Sequence, residues 1–357
     1  MPTMKNTTTS IRLGFAAIAC CALHFLGAAT SAQVGAGATE LAESFTDALI
    51  AEDAEALSRT RARLAERLED GATVQERIEI SQIIIPGVRS ALRGDNVHAS
   101  AVALSMAGRV ATRQTAQVLE TGLEDDSPAV RIAAAHGYQV LMRVVTSGSL
   151  ALSERDIDGV LRTLEDALAS AVDGREAQAL AMALGAAGRN DEVPGFDLRA
   201  GTALARSAAK AVAMARAAGS SDGDWDAFCA LVAGRLQSSV LDAALVSGGQ
   251  DRDLLIEAGR ACGQILAHAR DRVRAGELDD TPMRMLALAS KTSETVLGLT
   301  SSRLGIAGAP GEEDLQSLLI DGDESAYFEV IDAWIGEGGA LTRGAFGFDH
   351  ADFAPAG

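Results

Sequence analysis

The chain has 357 residues, 48% of them hydrophobic and 22% charged, which supplies a core and excludes wholesale disorder. Acids outnumber bases by 49 to 31, a net charge of -18, and only Lys5, Lys210 and Lys291 are lysines; such a surface repels phosphate, so nucleic-acid binding is excluded as the main role. Aromatic residues, at 4%, are too few for a base-stacking platform or a carbohydrate cleft.

At the N-terminus, Lys5 and Arg12 precede an apolar run of 14 residues, Leu13 to Leu26, broken only by Gly14 and His24. Small residues Ala28, Ala29, Thr30, Ser31 and Ala32 follow. This is the three-part pattern of a cleavable secretory signal, with cleavage expected between Ala32 and Gln33. An uncleaved anchor is the alternative, but the run falls short of the ~18–20 residues that span a bilayer. The expected address is periplasmic or extracellular, with no membrane span after cleavage. Cleavage removes Lys5 and Arg12 but no acid, leaving a still more acidic chain. It also removes Cys20 and Cys21 and leaves Cys229 and Cys262. An oxidising compartment permits a disulfide between these two. Their offset about the turn at Gly248-Gly249-Gln250 is ~10 Å along the helix axes at 1.5 Å per residue, too far for a bond without a kink at Gly234. Two buried, inert thiols are the alternative to that bond.

From Thr39 to Trp334 apolar residues recur at helical spacing, as in Leu41, Phe45, Ala48 and Leu49, and then Leu57, Leu64 and Leu68. Ala, Leu, Arg and Glu dominate, all good helix formers. In chain order the pattern predicts helices over 39–51, 53–69, 73–92, 96–109, 112–124, 127–146, 153–171, 174–188, 197–218, 223–247, 251–275, 281–300, 312–320 and 323–336. Pro128, Pro282 and Pro310 sit near helix starts, where the missing N–H costs nothing. Breaks rich in Gly, Asp and Ser separate the helices, such as Arg93-Gly94-Asp95 and Glu124-Asp125-Asp126-Ser127. No convincing strand is visible.

Asp95-Asn96-Val97-His98-Ala99-Ser100-Ala101-Val102 is echoed by Asp126-Ser127-Pro128-Ala129-Val130-Arg131-Ile132-Ala133-Ala134-Ala135, and Asp173-Gly174-Arg175-Glu176-Ala177 opens a third unit of the same kind. The second stretch resembles the start of a HEAT-type repeat, in which an Asp-x-x-Pro-like turn leads into Val-Arg and a run of alanines. The resemblance is best over 95–146, weaker to 188 and only architectural beyond. It implies an all-α fold of stacked antiparallel helix pairs, a HEAT-like α-solenoid, and it carries no catalytic residues. Asp126 or Ser127 would cap the helix, the alanines would let helices approach closely, and Arg131 would pair with an acid of an adjacent turn. Helices longer than 20 residues after Asp197 depart from the pattern, so the second half is either a degenerate array or an irregular helical bundle. The expected organisation is a signal at 1–32, a helical segment at 33–94, repeats at 95–188, long helices at 189–300, and terminal helices with an aromatic tail at 301–357.

Asp321, Asp323, Ser325, Glu329 and Asp332 fall at positions 1, 3, 5, 9 and 12 of a calcium-loop skeleton. Ala326 replaces the glycine of the sharp turn and Asp332 the bidentate Glu, so the competing reading is a helix cap at Asp323. Asp222-Gly223-Asp224-Trp225-Asp226 reads as an acidic loop ending in a cap. His98, His136, His268 and His350 share no ligand spacing, so lone surface or satisfied core histidines are expected. Gly305 to Gly311 reads as a linker, since no lysine follows and acids would repel phosphate. Tyr327, Phe328, Trp334, Phe346, Phe348 and Phe353 crowd the end of the chain. They form either a cover for the last open helix face or, through Phe346, Phe348 and Phe353, an exposed docking tail.

These readings point to an exported helical scaffold or protein-binding module without cofactor, whose acidity favours a basic protein or peptide partner. An enzyme or small-ligand protein with a groove between helices is the alternative, and the sequence names no residues for it.

Overall fold

A computed structural model describes residues 37–148, 151–220, 222–245, 251–276, 278–311 and 313–355. The expected signal segment therefore lies outside the described residues. The chain is all-α: α1 spans 37–50, followed by α2 (Ala54–Glu69), α3 (Val74–Arg93), α4 (Val97–Val110), α5 (Arg113–Leu123), α6 (Pro128–Thr146) and α7 (Glu154–Ala169). Next come α8 (Gly174–Leu184), α9 (Phe196–Ala217), α10 (Gly223–Leu245), α11 (Arg252–Ala275), α12 (Asp280–Leu304), α13 (Leu315–Ile320) and α14 (Glu324–Ile335). Two short 3-10 turns, Ala340–Thr342 and His350–Phe353, follow. Among the described residues there is no strand, only an isolated parallel bridge between Thr112 and Ala151.

Local chemistry sets the helix starts. The Asp53 carboxylate accepts the Glu55 and Ala56 amides, and Thr73 with Glu76, like Ser153 with Asp156, closes a reciprocal capping box. Ser127 occupies the cap position of α6 without a side-chain bond, contrary to the expected cap; Pro128 begins that helix, and the Asp125 carboxylate instead accepts the Ser127 amide. Helix ends deviate where long-range contacts intervene. α8 stops at Leu184 rather than near 188, because the chain beyond it is tied to the end of α6: the Gly188 amide donates to the Thr146 hydroxyl and the Asn190 amide group donates to the Val145 carbonyl. α12 runs past Thr300 to Leu304, since Thr300 and Ser301 are buried and the Thr300 hydroxyl is satisfied by the Leu297 carbonyl.

Helices of equal parity pack on one another: α2, α4, α6, α8, α10 and α12 each touch the next of that set, as do α3, α5, α7, α9 and α11. α1 joins the odd set, its Thr46 hydroxyl donating to the Ile83 carbonyl of α3 at 3.3 Å. Within a set the helix starts lie together, since Arg131 at the start of α6 reaches Glu176 at the start of α8, and Arg175 reaches Asp224 at the start of α10. Even helices therefore point one way, and the short turns send odd helices back.

The core is two apolar clusters that meet across α4. One holds α1 to α4 with Val118, and the other runs from Leu104 to Phe353. Small residues set the tightest approach. A Cβ at Gly108 of α4 would sit 2.1 Å from the Gly137 carbonyl oxygen of α6, and one at Gly122 would lie 2.9 Å from the Ala134 Cβ. Ala134 and Ala135 are fully buried, so the alanine run faces a helix seam.

Candidate functional site

Ion pairs join one helix to the next along each set. In the even set Arg131 donates from Nε to both Glu176 oxygens at 3.0 Å, and its Nη1 donates to the Asp125 carbonyl. The expected acid of an adjacent turn is thus Glu176, in the first turn of the next even helix. In the odd set Arg206 of α9 bridges Glu165 of α7 at 3.2 Å and Glu257 of α11 at 3.5 Å. Arg199 of α9 likewise pairs with Asp158 of α7 at 2.6 Å.

A buried polar cluster lies between α10 and α11. Asp226, fully buried, takes His268 Nε2 at 2.9 Å on Oδ1, and Arg272 donates to both of its oxygens at 3.2 and 3.0 Å. The acidic run does supply a cap, since the Asp222 carboxylate accepts the Trp225 amide at the start of α10; Asp226, inside the helix, is a brace between helices. His268 is a satisfied core histidine. Cys229 lies one turn beyond Asp226, but burial, then the Asp226 charge, push its thiol far above the ordinary range. Burial pushes Cys262 up to about 12. Both cysteines are free and buried, so neither supplies a thiolate nucleophile, and the disulfide alternative is not formed.

A second cluster fastens the end of the chain. Gln264 donates to the Asp352 carbonyl at 2.7 Å, Arg216 to the Ala354 carbonyl at 2.6 Å and Arg270 to the Phe353 carbonyl at 2.5 Å. Phe346 rests on Gly259 and Phe353 on Gly263, where a Cβ would come within 2.3 and 2.7 Å of the rings. Arg260 lies over the Phe348 ring. Phe346, Phe348 and Phe353 are therefore buried against α11. The exposed docking tail is replaced by a terminal cover, because these rings fill the face of α11 around Gly259 and Gly263.

The calcium-loop candidates do not converge. Asp321 ends α13 and Asp323 caps α14, accepting the Ala326 amide at 3.1 Å. Ser325, Glu329 and Asp332 then lie along one face of a continuous helix, spread over about 10 Å of its axis at 1.5 Å per residue, instead of wrapping around a loop. Asp332 faces Arg270 instead, at 3.5 Å. Among the described residues no three His, Cys, Asp or Glu side chains gather as a metal site. Of the other histidines, His350 meets the Ile335 carbonyl through Nδ1.

Several clefts remain, and two of them are lined by three arginines each. One of about 380 Å³ lies at the C-terminal ends of α2, α4 and α6, beside Arg109 and Arg143. Its innermost cation, Arg77, is buried and already donates to the carbonyls of Leu68, Arg109 and Val110, closing off two helix ends. The other, of about 210 Å³, lies between α5 and α7 and is lined by Arg113, Arg155 and Arg162. Sequence reasoning missed it, since its parts lie some 40 residues apart and no local pattern announces it. The sequence matches no protein-family model and no curated protein.

Proposed function

We propose that the chain is an exported scaffold of the HEAT-like, stacked-pair kind, which binds a protein or peptide partner along its helices. The observation that carries this reading is the same-parity packing of helices, cross-linked by pairs such as Glu165–Arg206–Glu257. Arrays in which each unit rests on its neighbours present extended surfaces to partners. The buried histidine, cysteines and carboxylates at α10 and α11 serve packing in this reading, since their polar atoms are engaged with one another or held neutral. The net charge of -18 favours a basic partner whose attachment weakens with salt.

Cross-linking of the exported fraction, followed by mass spectrometry, tests the reading. A basic partner linked to exposed side chains of the helical rows, and lost at high salt, supports it. Turnover of a small molecule by the purified chain, with no macromolecular cross-link at any salt, overturns it.

A further inference from the structure

The cleft between α5 and α7 breaks two local rules in one place. Arg113 and Arg155 stand in the first turns of their helices, where the backbone dipole is already positive and acids are favoured. Gly159 lies in the middle of α7, where glycine weakens a helix, yet nothing lies within 4 Å of where its Cβ would be. No packing contact requires this glycine; what the missing side chain leaves is room in the cleft that Gly159 lines. Breaches of local preference without a packing reason mark functional positions.

The geometry is held by the fold. The bridge between Thr112 and Ala151 ties together the segments that lead into the two helices. The Tyr138 hydroxyl, which also lines the cleft, is spent on the Ala116 carbonyl. The charge is not balanced. Arg113 pairs with Asp156 at 3.6 Å, and Asp156 is further held by the Ser153 hydroxyl. The side chains of Arg155 and Arg162 make neither an ion pair nor a hydrogen bond among the described residues, although the Arg155 charge helps hold Asp156 ionised, and Glu120 is the one other carboxylate lining the cleft. In a chain of net charge -18, this is a local excess of guanidinium around a cavity larger than a bare anion.

We propose that this cleft binds a tetrahedral oxyanion, a phosphate or sulfate group either free or carried as an ester. Arg155 and Arg162 are the principal donors, Arg113 is the third guanidinium of the lining, and Gly159 makes the space. Guanidinium forks suit oxyanions because they give paired, charge-assisted hydrogen bonds. The site stands independently of the scaffold reading, and its failure would leave that reading untouched.

Calorimetric titration at low salt with inorganic phosphate, inorganic sulfate and a phosphoserine peptide tests the proposal. Saturable one-site binding of at least one probe is expected. A tighter peptide identifies a modified partner as the source, and a tighter inorganic ion identifies the free anion. Arg155→Ala and Arg162→Ala should each weaken binding by about tenfold, while Glu120→Gln should tighten it. Gly159→Ala should raise the melting temperature and still weaken binding, which separates loss of space from loss of fold. No saturable binding of any probe, or equal binding by the wild type and the double arginine variant, overturns the proposal.

Discussion

At the residue scale, the alanine and glycine seams carry the sharpest consequences. Ala134 is fully buried beside Gly122, so Ala134→Leu should overpack the seam and cost ~1–3 kcal/mol. Gly108→Ala, whose new methyl would meet the Gly137 carbonyl oxygen at 2.1 Å, should cost at least as much, because backbone rather than a side chain must yield. Ala351→Leu, at an exposed position, should be neutral. Denaturant midpoints of the three variants check the order, and equal midpoints for Ala134→Leu and wild type would refute the seam. Asp226→Ala should lose ~3–5 kcal/mol, since it strands the largely covered Arg272 guanidinium beside the buried His268. Thermal unfolding of that variant against Asp224→Ala, which removes a more exposed pair, separates the two cases. The thiols of Cys229 and Cys262 should resist an aromatic disulfide reagent in the folded chain and react together in denaturant, because burial holds both protonated. Fast reaction without denaturant would contradict that burial.

At the element scale, helix starts couple stability to acid. Asp156 is held below the ordinary carboxylate range by the Ser153 hydroxyl, against the opposing effect of burial. Glu76 is also lowered: burial raises it, but bonds from the Thr73 amide and hydroxyl and from Arg67 outweigh that. A carboxylate whose folded pKa is depressed contributes stability that is present above its unfolded value, about 4 for these groups, and is lost as pH falls through the lower folded value. The expected acid limb therefore lies below about pH 4. It should flatten in a Glu76→Gln, Asp156→Asn double variant, and urea midpoints across that range measure it. Other elements obey the tertiary structure over their local preference. Pro86 lies inside α3, where a proline removes one backbone bond; the helix persists because Arg77 ties its start to the ends of α2 and α4. α13 has only six residues. It is held by the buried Glu294 carboxylate, which accepts the Glu313 amide at 2.8 Å and so serves as its remote cap.

At the scale of the whole molecule, the same-parity packing brings residues some 40 positions apart into contact, as Arg131 with Glu176 and Arg206 with Glu165. The same packing leaves an open face at the end of the odd set, and the aromatic tail covers it with three main-chain carbonyls anchored by Arg216, Gln264 and Arg270. Phe353→Ala should therefore destabilise the chain by ~3–5 kcal/mol and loosen the tail, which protease cleavage near residues 344–347 would reveal. Export is the other expectation for the whole chain, and it rests on the N-terminal signal pattern. Mass spectrometry of the exported protein should find a start at Gln33, and recovery of the intact Met1 form from membranes would refute the signal.

The fourteen helices among the described residues were legible in the sequence because their causes are local. Apolar spacing, Thr73 and Ser153 with their acids three residues on, and Pro128 at a helix start act within one or two turns. The burial of the alanine run was legible for the same reason, since Val130, Ala134 and Tyr138 share a stripe. What stacking alone decided is which acids are buried and which cations remain unpaired. Asp226 and Asp224 look alike in one acidic run, yet one lies in the core and the other near the surface. Arg155 and Arg162 look like ordinary solvent-facing helix residues until Arg113 is brought beside them. The reason is physical: a helix encodes its own face through neighbours three and four residues away, whereas the face it meets belongs to another helix, and the fit of small residues between them sets the register.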